Sequence, residues 1–146
     1  MKKPYIYKLE ADYAFRASFE LDQLLVFKHN NKIWLVITPT RDIIVAKDYA
    51  WDGCSPKVSI AGFTLGIPDG EIHPETGKPR AYFASLIHDA LLQFSDDPRM
   101  PFSRAQIDEM FYDILKRDGF KAAPLYYFVV RKLGGLYARF LSRHIE

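Results

Sequence analysis

The chain changes character once, at Asp52, and that change limits the folds open to it. Residues 5–51 read as strands. Leu24–Lys28 and Lys32–Thr38 are rich in β-branched and aromatic residues and flank His29-Asn30-Asn31, a hairpin turn. Thr38-Pro39-Thr40-Arg41-Asp42 is the next turn, and Ile43–Ala50 reads as one further strand. From Asp52 the punctuation thickens: residues 52–101 hold six of the nine prolines and five of the eight glycines. Residues 52–79 are therefore expected as a long ordered loop, with a short strand at Ile60–Leu65. Loops of that length inside a compact domain are commonly functional. From Arg80 the apolar period becomes helical.

Three helices are expected. Arg80–Phe94 carries Phe83, Leu86, Ile87, Ala90 and Leu91 at helical spacing, and Asp96-Asp97-Pro98 breaks it. Ser103-Arg104-Ala105-Gln106 has the form of a capping box, with Gln106 reaching back to Ser103. The helix it opens, with Ile107, Met110, Phe111 and Ile114 on its core face, stops at Asp118-Gly119. Ala123-Pro124 opens a third helix, interrupted at Gly134-Gly135. The expected fold is α+β: an N-terminal antiparallel meander, a helical hairpin and a C-terminal helix, in one domain of 146 residues.

Composition narrows the function classes. Hydrophobic residues are 49% and aromatics 15%, enough for a packed core. A net charge of +2 does not by itself point to nucleic acid. The charge is uneven, since residues 121–146 sum to +4 and the remainder to −2. A basic solvated helix face is the better reading of that asymmetry, and attraction to anionic lipid or nucleic acid is the sharper one. Cys54 is the single cysteine, so no intramolecular disulfide is possible. The start has no apolar signal-peptide core, and no run reaches the length of a membrane span. A location in the cytoplasm of a bacterial host, or on a virion, is the expectation.

The residues with chemistry in them are His88 and Asp89, set inside a strongly apolar helix. From His88 alone, a satisfied structural histidine is the better reading. Asp108 changes the balance. His88 lies about 9 Å from its helix end and Asp108 about 7–8 Å from its helix start at 1.5 Å per residue, so a short antiparallel connection brings them level. A carboxylate there can accept the imidazole N–H and leave the other ring nitrogen as a base. An ordinary i, i+4 pair of Asp108 with Arg104 is equally consistent with the spacing. Asp52-Gly53 supplies hard oxygen donors in a sharp turn, to which Asp89 adds another, a set suited to Ca²⁺. An ordinary Asp-Gly turn accounts for the same residues.

Asp52-Gly53-Cys54-Ser55, His88-Asp89, Arg104, Asp108 and Phe111 together resemble the bacterial and fungal type of secreted phospholipase A(2). That resemblance implies His88 as the base that activates a water, Asp108 as its orienting partner, and Asp52, Gly53 and Asp89 as holders of Ca²⁺. The ion would stabilise the oxyanion of an ester's tetrahedral intermediate. Two positions depart from the pattern: Leu92 stands where a Tyr is usual, and Ser85 where the loop cysteine's partner is usual. Over most of its length the chain also resembles a family of phage and prophage proteins of unknown function. The D-G-x-S-x-P-like turn, the H-D helix, the S-R-x-x-x-D helix and a late V-R-x-x-G element, here Val130-Arg131-Lys132-Leu133-Gly134, carry that likeness.

Rival readings use other residues. Cys54, or Ser55, with His88 and Asp108 has the residue types of a nucleophile triad, although a buried inert thiol is the better reading of Cys54. His73 with His88 and Asp89 would be a weak transition-metal set. His29 and His144 read as solvent-exposed. Trp34, Trp51, Tyr49 and Tyr82 line either a pocket or, more ordinarily, the core. The third helix, with Tyr126, Tyr127, Phe128 and Tyr137, reads better as a packed helix with one basic face than as a membrane-surface helix. Two functions follow. One is a hydrolase acting on an ester in lipid or cell-envelope material. The other is a non-enzymatic phage protein, a virion or assembly component or a binder of a host protein, in which the His–Asp contact is structural.

Overall fold

A computed structural model describes residues 7–18, 21–51, 59–60, 63–64 and 72–132. The fold is α+β, with antiparallel strands in the N-terminal half followed by helices. The strands are β1 (Tyr7–Lys8), β2 (Tyr13–Arg16), β3 (Leu25–His29), β4 (Lys32–Ile37), β5 (Asp42–Val45), β6 (Ala50–Trp51), β7 (Ser59–Ile60) and β8 (Phe63–Thr64). The helices are α1 (Tyr82–Gln93), α2 (Arg104–Arg117) and, over residues 123–132, α3.

The β3–β4 hairpin turns on Asn30 and Asn31, both with positive φ (51° and 63°). A two-residue turn with that backbone matches the right-handed twist of its strands, and asparagine tolerates it. β3, β4 and β5 are consecutive neighbours, but the sheet order is β2-β5-β4-β3. The expected meander is therefore followed by only three strands, and β2 joins the far side of β5. That position stacks Tyr13 on Phe83 of α1 (4.3 Å between centroids) and brings its hydroxyl to Arg117 of α2 at 3.0 Å.

Ile43–Ala50 is not one strand. β5 ends at Val45, the chain turns through Lys47 and Asp48, and β6 begins at Ala50 to pair with β1. Asp48 adopts φ 75°, and the Lys47 N–H donates to Asp12 Oδ1 at 2.6 Å. This long-range bond and the Asp48 turn interrupt the ladder. The expected strand at Ile60–Leu65 is instead the antiparallel pair β7–β8. Cys54, Ser55, Ile67, Gly134-Gly135, Tyr137 and His144 lie outside the described residues.

The core follows from alternation. Phe27, Leu35, Ile37, Ile43 and Val45 are fully buried, with Leu35 opposite Val45 and Ile37 opposite Ile43. α1 packs on β4 and β5 with one side and on α2 with another. It is buried at Tyr82 and from Ala84 to Leu92, as a central helix must be. At the start of α2, Ser103 Oγ accepts from the Gln106 N–H while the Gln106 side chain accepts from the Ser103 N–H, the anticipated capping box. At its end Gly119 takes φ 75° and the Phe120 N–H reaches the Leu115 carbonyl, a left-handed stop that favours glycine. Tyr49, Trp51 and Tyr82 are buried, and their rings meet in edge-on and tilted contacts, so they belong to the core.

Candidate functional site

α1 carries polar groups into the interior. Ser85, His88 and Asp89 are all buried, at 1%, 2% and 3% exposure. In a helix otherwise made of Leu, Ile and Ala, each costs desolvation unless it is bonded. Ser85 Oγ accepts from the Trp51 indole N–H at 2.9 Å and donates to the Tyr82 carbonyl at 3.0 Å. Ser85 thus pins Trp51, the last described residue before Asp52-Gly53 in the chain, to α1, one helical turn ahead of Asp89.

His88 Nε2 lies 2.7 Å from Asp108 Oδ1. The Phe111 ring packs against the imidazole at 4.6 Å between centroids. The expected levelling of His88 with Asp108 is present. So is the rival pair, because Arg104 Nε donates to the same Oδ1 at 3.0 Å. A third partner comes from α3, whose Arg131 Nη1 donates to Asp108 Oδ2 at 2.9 Å. Three elements converge on one fully buried carboxylate.

The electrostatics follow from that convergence. Burial, the largest influence on Asp108, works to raise its pKa. The bond to His88 and the charges and bonds of Arg104 and Arg131 outweigh it and hold the group below the ordinary carboxylate range. For His88, burial dominates and pushes the imidazole below its ordinary value, against the pull of Asp108. Two guanidiniums already neutralise the carboxylate, so a third positive charge is unwelcome. His88 is neutral at neutral pH. Its Nε2–H donates to Asp108 and its lone pair sits on Nδ1, the tautomer a carboxylate partner selects.

The five predicted site residues divide. His88 and Asp108 meet at the contact of α1 and α2 and Asp89 is buried next to His88 in α1, whereas Asp52 and Gly53 lie outside the described residues. Among the described residues no three His, Cys, Asp or Glu side chains are grouped to hold a metal ion. His73 is placed in its own turn, with Nδ1 accepting from the Glu75 N–H at 3.1 Å. Arg131 is the partner that sequence reasoning passed over. The signal available was its place in the V-R-x-x-G element, and nothing in the spacing says that it reaches back 23 residues to Asp108. Comparison with protein-family models, with curated proteins and with solved structures gives no match to this chain.

Proposed function

We propose that the protein is a hydrolase of the phospholipase A(2)-like kind, with His88 as general base and Asp108 as its orienting partner, acting on an ester in lipid or cell-envelope material of a phage-infected or prophage-bearing cell. The observation that carries the reading is the 2.7 Å contact of His88 Nε2 with Asp108 Oδ1, with Asp89 next in sequence and buried beside it. A base needs a fixed ring and a defined tautomer, and Asp108 supplies both. Low basicity keeps His88 unprotonated at neutral pH, the state a general base requires.

The donor set expected for an electrophile is all oxygen: the carboxyls of Asp89 and Asp52 and the carbonyl of Gly53, chemistry that suits Ca²⁺. The Trp51–Ser85 bond supports the same grouping, because the Asp52-Gly53 turn departs from a residue fastened one turn from Asp89. Bound there, Ca²⁺ would supply positive charge to a developing oxyanion.

One observation favours a second reading. His88 is only 2% exposed, and Asp108 has partners on three elements. A buried hydrogen-bonded network of this kind is also how a protein specifies a unique core. In that case the chain is a structural, assembly or host-binding phage protein.

Two measurements on the intact chain separate the readings: calorimetric Ca²⁺ titration with an Asp89→Asn control, and ester release from phospholipid vesicles by the protein and by His88→Ala. Saturable binding lost in Asp89→Asn, with ester release abolished in a folded His88→Ala, is the expected result. Absence of binding up to millimolar Ca²⁺, where weak sites still bind, together with global unfolding of His88→Ala, overturns the hydrolase in favour of the structural network.

A further inference from the structure

α3 is sorted by solvent. Ala123, Val129 and Val130 are buried, and Tyr126 and Tyr127 are packed inward, Tyr127 stacked on Tyr112 of α2 at 4.8 Å. Six described positions from 121 on are exposed: Lys121, Pro124, Leu125, Phe128, Arg131 and Lys132. At 3.6 residues per turn the five that lie in the helix, from Pro124 on, fall within an arc of about 120°. Leu125, Phe128 and Lys132 form its centre line, in the i, i+3, i+7 series, and Lys121 stands in the turn just before the helix.

The makeup of this face is unusual for one that meets only water. It has three cations and three apolar side chains, and no acidic or neutral polar residue. A solvated helix face normally mixes both signs of charge. Leu125 is 43% and Phe128 56% exposed, two of the five large hydrophobics exposed among the described residues. Lys132 Nζ lies 5.7 Å from the Phe128 ring centroid, so cation and aromatic sit side by side.

We propose that this outward face of α3 docks on an anionic lipid surface. Leu125 and Phe128 would enter the boundary between headgroups and acyl chains. Lys121 and Lys132, one turn to either side, would meet the acidic headgroups. Charge complementarity selects this occupant. A second copy of the chain would set cations against cations across a twofold axis. The phosphate backbone of a nucleic acid would leave the apolar half of the face unused. The same helix holds Arg131 on Asp108, so a docked α3 lies directly over the His88–Asp108 contact. The docking does not rest on the hydrolase reading, because it needs no turnover.

The test is co-sedimentation of the full chain with vesicles of phosphatidylcholine alone or mixed with phosphatidylglycerol, with Leu125→Ser/Phe128→Ser and Lys121→Glu/Lys132→Glu as variants. Binding is expected to the anionic vesicles and not to the neutral ones. Each double variant should weaken it roughly tenfold or more. His88→Gln should bind like the parent, which separates docking from catalysis. No binding, equal binding to neutral vesicles, or binding indifferent to both variants overturns the proposal. So does a self-association in sedimentation velocity that the Leu125→Ser/Phe128→Ser variant abolishes, which would make the face a contact between copies.

Discussion

The two sides of α1 are built on opposite principles. Toward β4 and β5 it packs on a face whose buried residues are Leu35, Ile37, Ile43 and Val45, none of them charged. Toward α2 it presents His88, and the answer from α2 is Asp108. The first side gains from every methylene it buries, about 0.8 kcal/mol for each. The second must overcome the desolvation of a carboxylate and its guanidinium partners, and a close-packed apolar replacement is often as stable. A chain that needed only a helix on a sheet had no reason to place the cluster there. Stability therefore resides on the sheet side, and the cost accepted on the α2 side is what marks it as the candidate site.

The largest expected effect breaks that comparison directly. Asp108→Ala leaves His88, Arg104 and Arg131 turned toward a vacated carboxylate position and is expected to cost about 3–5 kcal/mol. Leu35→Ala, on the sheet side, is expected to cost about 2–5 kcal/mol, from lost burial and the cavity left behind. Urea denaturation at several pH values distinguishes them. The Leu35→Ala deficit should be the same at every pH, and the Asp108→Ala deficit should shrink in acid. A loss below about 1 kcal/mol for Asp108→Ala would show that the cluster is solvated, and the contrast between the two sides would fall.

Acid sharpens the comparison further. The pKa of His88 is lower folded than unfolded, so protonation favours the unfolded chain. The stability this group contributes is complete above its ordinary value near 6.5 and is lost as pH falls from there through the folded value. Asp108 is also depressed, so its contribution fails in the same direction but only below the ordinary aspartate range. Thermal midpoints should decline below pH 6.5, and His88→Gln should flatten the upper part of that decline. An unchanged profile in His88→Gln would mean that another group titrates there.

The two sides also differed in how far they could be read in advance. The sheet side is local: alternation in β4 and β5 and the Asn30-Asn31 turn each act within a few residues, and each is visible in the string, as is the capping box that opens α2. Where local reading failed, a longer bond was responsible. Asp12 caps the Lys47 N–H across 35 residues and splits the strand expected over Ile43–Ala50. Tyr13 meets Phe83 and Arg117, and β2 moves beyond β5. On the α2 side the His88–Asp108 pair was legible because both lie on helices joined by a short connection, so that rise per residue fixes their level. The Trp51–Ser85 bond spans 34 residues and has no periodic signature.

Arg131 provides the last and smallest test. Its side chain is 40% exposed, so water screens its charge, and Arg131→Gln is expected to cost only about 1 kcal/mol or less. Its effect on the site should be clearer than its effect on stability. Removing one of two guanidiniums leaves more negative charge on Asp108 facing His88, and the imidazole then gains from a proton it previously refused. The His88 pKa should rise toward its ordinary value, followed by NMR titration of the ring protons, with Arg131→Lys restoring most of the parent value through its retained charge. A purely packing role would move the unfolding midpoint in both variants and leave the titration where it was. A rise in Arg131→Gln with recovery in Arg131→Lys would show that α3 sets the charge state of a contact made by α1 and α2.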